Sequence, residues 1–246
     1  MRRQLRRIIK NPPLLLPALL FPLLLFAAFA GGLSALGRSP NFKYPDYTTF
    51  QFVYVLMQAA SVSGMQTGLA IAEDFDSGFA RRMMLATRSR WPLVAGYVGS
   101  ALVRGLVITA VLFAVGLAAG MQVSGSPLEV AGVVALALVL TLVVAMWSAG
   151  FAFRTRSLQA GPAFQLPVLV IMFLVPVYTT RALLADWVKA IADYNPITAI
   201  LEAARGLMVG DPVSVGLAFG VCAALLAVLT VWVGASLRAA EAAGGG

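Results

Sequence analysis

The side chains able to engage a solute or a neighbouring helix are concentrated in one stretch. Gln51, Tyr54, Gln58, Ser61, Met65 and Gly68 recur at intervals of three and four, which places amides, hydroxyls and a thioether along one face of a helix. In an apolar setting such a strip must face protein or a cavity rather than lipid. Hydrogen bonding to a passing molecule and hydrogen bonding between helices both fit the spacing. Directly after it, EDFDSGFARRMMLATRSRW sorts its charge, with Glu73, Asp74 and Asp76 first and Arg81, Arg82, Arg88 and Arg90 last. That order complements a helix dipole and predicts a short helix. On it Phe75, Phe79 and Met83 form an apolar stripe that would lie on lipid or fill a groove in another protein. A solvated loop whose positive charge fixes topology is the plainer alternative.

Catalytic chemistry has little to work with. The chain has no histidine and a single cysteine, Cys222, which excludes an internal disulfide and His-based metal or proton chemistry. No metal site is expected. Lys10, Lys43 and Lys189 are its only lysines and none follows a glycine-rich phosphate loop, so ATP hydrolysis by that route is excluded. No Ser-Lys or paired-Asp arrangement lies within the apolar stretches to serve as a general base. The expectation is a non-catalytic chain with no cofactor of its own.

The elements that position these residues follow from composition. Sixty per cent of the 246 residues are hydrophobic and 11% charged, mean hydropathy is +0.89, and ordinary soluble domains carry about 25% charged residues. Six apolar stretches are long enough to cross a bilayer: residues 12–36, 49–72, 93–121, 127–153, 161–180 and 212–237. Pro17 and Pro22 are expected to kink the first. The fold class predicted is an all-α integral membrane protein forming one domain over residues 1–246.

The net charge of +8 sits mostly beside these stretches, so it points to anionic lipid and not to nucleic acid. Residues 1–11 set Met1, Leu5, Ile8 and Ile9 against Arg2, Arg3, Arg6, Arg7 and Lys10, the pattern of a helix lying in the membrane interface. A disordered basic tail or a signal-peptide n-region is the alternative. With the N-terminus inside, inner segments hold twelve basic residues and outer segments five, which places both termini in the cytoplasm. Arg104 falls inside the third stretch, where a charge costs about 2.5–3.5 kcal/mol. Its position thirteen residues after Trp91 favours a side chain that snorkels to the inner interface. Residues 181–211 read as one or two short amphipathic helices broken at Asn195-Pro196, with Glu202 and Arg205 spaced to pair on one face.

The basic N-terminal helix, six spans, the charge-sorted segment and the late stretch with Asn195, Pro196, Glu202, Arg205 and Gly210 together resemble the ABC-2 type permeases, in particular the daunorubicin-resistance type of membrane subunit. The resemblance implies a type V ABC exporter-like fold with a coupling helix at 73–92 and extracellular helices at 181–211. It implies that Asp76, Phe79, Arg81, Arg82, Met83 and Arg88 dock a cytoplasmic ABC ATPase, which binds the ATP and Mg. It also implies two ATPase copies with two permeases, the second being another copy or a homologue. Spans two and five would line the pathway, making Gln51, Tyr54, Gln58, Ser61, Met65, Phe164, Gln165, Met172, Phe173 and Tyr178 candidates for contact with a drug, antibiotic or lipid. Asn195, Pro196, Glu202 and Arg205 would belong to an outer gate.

In this likeness the chain exports its substrate by alternating access from a plasma membrane, and the predominance of Arg over Lys fits a GC-rich bacterial source. The end of span five, 176–180, departs from the small residues usual there. A secondary transporter driven by an ion gradient, or a channel, is the rival. Coupling of that kind calls for acidic residues within spans, and Glu129 is the nearest approach to one.

Overall fold

The structure is a computed structural model that describes residues 16–38, 42, 44–86, 91–179, 181 and 184–242. The interfacial helix expected at 1–11 and Arg88 lie outside them. Among the described residues the chain forms nine α-helices and no strand: α1 Leu16–Gly32, α2 Tyr47–Asp76, α3 Phe79–Ala86, α4 Trp91–Ala118, α5 Pro127–Thr155, α6 Gly161–Phe173, α7 Asp186–Tyr194, α8 Pro196–Val209 and α9 Val215–Ala242. By length and composition α4, α5 and most of α9 can cross a membrane. The first and fifth apolar stretches form shorter helices, with Pro22 inside α1 and Pro167 inside α6.

Helix α2 is the axis of the bundle and packs against α5, α4, α1, α8 and α6. Its 30 residues span about 45 Å at 1.5 Å per residue. Asp46 caps its first turn, its carboxylate accepting from the Thr49 amide and hydroxyl. The turn carrying Gln122 joins the same end through Thr49 Oγ1, 3.0 Å from the Gln122 carbonyl.

Two apolar cores stack along α2. The one toward its Tyr47 end gathers Phe52, Leu56, Ile108, Leu136, Leu140, Ile200 and Leu201. The other, toward Asp76, gathers Ile71, Phe75, Val94, Phe153, Val233 and Leu237. A polar layer separates them. There Ser148 Oγ donates to the Gly64 carbonyl at 3.0 Å and accepts from the Gly68 amide at 3.2 Å. Gly64 and Gly68, four apart, let the α5 backbone close on α2 as small-residue helix pairs do in membranes.

Arg104 belongs to this layer, contrary to the snorkelling expectation. Its Nε donates to Ser63 Oγ at 3.2 Å, and its Nη2 donates to the Ser63 carbonyl at 2.6 Å and Thr67 Oγ1 at 3.3 Å. Its α4 face lies against α2, so the guanidinium finds acceptors on that helix without reaching an interface. Arg104→Lys keeps the charge but cannot span both turns of α2. It should lower stability by about 1–3 kcal/mol, read as an earlier thermal midpoint of the purified protein in mild detergent.

Candidate functional site

The charge-sorted segment is two elements and not one helix over 73–92. Glu73, Asp74, Phe75 and Asp76 form the last turn of α2, and α3 starts at Phe79. Gly78 makes the break at φ 73°, a left-handed turn that glycine enters without steric cost. The acidic residues thus sit at a helix C-terminus, where the dipole opposes them, and other groups hold them. The Tyr97 hydroxyl donates to the buried Asp74 carboxylate, and Asp76 Oδ2 accepts from the Leu158 amide at 3.1 Å. Phe75 turns inward onto Phe153, so the stripe expected through Phe75, Phe79 and Met83 does not run on one helix.

What remains is a short handle pinned to the bundle. Ala80 and Met84 are buried in the second core, Phe79 and Met83 are half-buried, and Arg82 is exposed. Asp76 also ties the handle's root to the 3-10 turn Leu158–Ala160. One end of α2 therefore carries a partly apolar surface on which Glu73, Asp76 and Arg82 are exposed.

The polar strip lies inside the helical bundle. Gln51, Tyr54, Gln58, Ser61 and Met65 are all buried. Ser61 Oγ approaches Met172 Sδ at 3.5 Å, and Phe164 packs against Gly68. Gln165 is half-buried and Phe173 and Tyr178 are exposed, the Tyr178 ring lying edge-on to Phe29 and its carbonyl accepting from the Tyr47 hydroxyl at 3.1 Å. The structure therefore brings Met172 and Phe164 to the strip and leaves the other three at its margin.

The expected fifth span ends early. α6 stops at Phe173 and residues 174–178 run irregularly. Two candidate gate residues bond to backbone on either side of this break, one in α6 and one in the irregular segment. Asn195 Nδ2 donates to the Ile171 carbonyl at 2.9 Å while its Oδ1 caps α8 through the Ile197 amide at 3.0 Å. Arg205 Nη1 donates to the Pro176 carbonyl at 2.8 Å and its Nε to the Phe50 carbonyl at 3.3 Å. The guanidinium lies 3.5 Å from the Phe50 ring centroid, a cation–π contact framed by Tyr44 and Tyr47. Burial raises the Tyr44 phenol above its ordinary value, with the Arg205 charge pulling the other way.

These bonds set the depth of α8. Arg205 is level with Phe50 in the first turn of α2. Asn195 is level with Ile171, one residue before the Met172 that meets Ser61. The break at Asn195-Pro196 is as expected, but α8 is not a surface cap, because it runs beside α2 to about its midpoint. Glu202 and Arg205 do not pair. Arg205 points into α2, and Glu202 binds Arg181 at 3.0 Å, which also reaches Asp193 at 3.2 Å.

The sequence pattern of the ABC-2 type transporter family matches residues 1–209. The chain belongs to that family. Comparison with curated proteins returns no match. Membership makes this ABC-2 chain a permease component, a generally non-catalytic role, places it in a membrane and implies pairing with an ABC ATPase subunit.

The match covers α1 to α8 and stops where α8 does, so the handle, the strip and the α6–α8 clamp of this ABC-2 permease all lie within it. Among the described residues no group of three His, Cys, Asp or Glu is placed to hold a metal. Glu129, the acid nearest a span interior, closes a capping box with Ser126 at the start of α5. Sequence reasoning missed Gly64, Ser148 and the partners of Arg104. The four-residue spacing of Gly64 and Gly68 was the available signal.

Proposed function

We propose that this permease is the membrane half of an ATP-driven exporter that moves a hydrophobic or amphiphilic substrate, a drug, antibiotic or lipid, by alternating access. It works with two copies of a cytoplasmic ABC ATPase and a second permease, and crosses the plasma membrane of a bacterium six times with both termini in the cytoplasm. α1, α2, α4, α5, α9 and the broken α6 serve as the spans. In this reading α3 docks on the ATPase, with Arg81, Arg82, Met83 and Arg88 on the contact.

One observation carries the reading. A single unbroken helix, α2, joins the root of the α3 handle to the polar strip and to the Arg205 clamp at the far end. Packed helices transmit displacement as rigid bodies. Closure of an ATPase dimer against α3 thus moves α2, and α2 shifts the strip relative to α6 and α8. The apolar spans offer few charges to hold a polar solute, which supports a hydrophobic or amphiphilic cargo. The buried Gln51, Tyr54, Gln58, Ser61, Met65, Phe164 and Met172 contact substrate when α6 and α8 move away from α2. Asn195 and Arg205 hold the gate shut in the conformation seen.

Gentle purification from the native membrane tests the docking. The parent chain should retain a phosphate-loop ATPase, identified by mass spectrometry, and Arg81→Glu with Arg82→Glu should lose it while the permease keeps its thermal midpoint. A folded parent that recovers no ATPase would refute the reading.

A further inference from the structure

We infer that the unpartnered polar groups where the polar face of α2 meets the inner face of α8 form a binding site for an oxyanion, a carboxylate or a phosphate. This deepens the exporter reading and rests on taking that face of α2 as part of the substrate's path. Seven buried polar atoms there have no hydrogen-bond partner: both amide atoms of Gln51, both of Gln58, the Tyr54 hydroxyl, Thr198 Oγ1 and Arg205 Nη2. Native proteins leave few such atoms, and each calls for a partner such as water, an ion or a ligand; seven together in a low-dielectric interior are costly until they find one.

Register brings them together. Gln51, Tyr54 and Gln58 follow one another at three and four residues, along one face of α2. Thr198 and Arg205 are seven apart, on one face of α8. The two helices lie side by side with Arg205 level with Phe50 and the start of α8 near Ser61. Thr198 therefore falls about two turns deeper than Arg205, near the level of Gln58.

The chemistry of the set selects the ligand. Arg205 brings the one full charge among these five side chains, and it is positive. Glu202, the carboxylate on the same helix, is engaged by Arg181 at 3.0 Å. Five of the seven unpartnered atoms can donate, a guanidinium nitrogen, two amide nitrogens and two hydroxyls, against two amide oxygens, a balance that suits a ligand rich in acceptors. A cationic group would meet Arg205 directly. An oxyanion near the level of Arg205 would accept from Nη2, the Tyr54 hydroxyl and the Gln51 amide, with Gln58 and Thr198 deeper along the same faces, and the apolar core lies beside them.

The test uses the purified full-length permease in a non-ionic detergent, without any ATPase, so its result is independent of the docking experiment. Binding is followed by the shift in thermal midpoint with dodecanoate, dodecyl phosphate, inorganic phosphate, dodecanol and dodecylamine. The two acidic amphiphiles or inorganic phosphate should stabilise the protein, and dodecanol and dodecylamine should not. A response to dodecyl phosphate without one to inorganic phosphate identifies an amphiphile's head group as the source, and equal responses identify a free anion. Tyr54→Phe with Gln51→Leu removes two partners with little change of volume, and should weaken binding about tenfold. Arg205→Lys provides a second reading that keeps the charge but loses the free Nη2. No response to any anion, an equal response to dodecanol, or affinity unchanged in the folded double variant would overturn the assignment.

Discussion

Replacing Gly64 by valine is expected to prise α5 from α2 and to cost the protein most of its folded yield. A β-carbon at Gly64 would stand 2.6 Å from Val144 Cβ and 2.9 Å from both the Ala145 amide nitrogen and the Thr141 carbonyl oxygen. Two of those neighbours are backbone, so no rotamer change makes room and the helices must separate. Separation breaks the bond from Ser148 to the Gly64 carbonyl and opens the polar layer between the two cores. Overpacking alone costs about 1–3 kcal/mol, and unpaired polar groups add about 1–3 kcal/mol each. The sum is a large part of the 5–15 kcal/mol that typically holds a domain together. Size-exclusion yield and thermal midpoint in mild detergent report the loss. Gly216→Ala is the control, since nothing lies within 4 Å of its β-carbon.

Arg205→Leu should have the next largest effect, confined to the Tyr47 end of the bundle. It removes the donor to Pro176, the second donor to Phe50 and the stacking on the Phe50 ring. Hydrogen bonds from a charged donor contribute about 1.5–3 kcal/mol and a desolvated cation–π contact about 2 kcal/mol, offset by no longer burying the charge. A net loss of about 2–4 kcal/mol follows. Because this side chain ties α8 to α2 and to the segment that follows α6, the loss should appear as faster proteolysis within 174–195, while the α3 handle and any ATPase bound to it are retained. Equal cleavage in parent and variant would remove Arg205 from its role as clamp.

Much of the architecture was legible because apolar length and helix punctuation are local signals. The long apolar helices α4, α5 and α9 and the break between α7 and α8 follow from runs of apolar residues and from Asn195-Pro196. The rest depended on tertiary choices. Charge order across 73–90 predicted one helix, yet Gly78 in a left-handed turn divides it, and the Tyr97 hydroxyl and Leu158 amide offset the poor dipole position of Asp74 and Asp76.

Arg104 could be placed in depth from the sequence but not in azimuth, and azimuth put it on Ser63 and Thr67. Glu202 and Arg205 have the spacing of a helix-face pair. Only the packing of α8 on α2 decides that one turns inward and the other toward Arg181. The polar strip was visible as a periodicity, but that Gln51, Tyr54 and Gln58 lack partners within it emerges only from the packing of the bundle.

The central claim is that ATP, hydrolysed on a partner chain, drives movement of an amphiphile through this permease. The most direct measurement reconstitutes the complex purified from the native membrane into proteoliposomes and follows a fluorescent phospholipid analogue across the bilayer. Movement should require ATP and Mg, persist when proton and sodium gradients are collapsed, and fall to the background of empty vesicles with Arg81→Glu and Arg82→Glu. Movement that ignores ATP and follows an imposed proton or sodium gradient would contradict the account and make the permease a gradient-driven transporter.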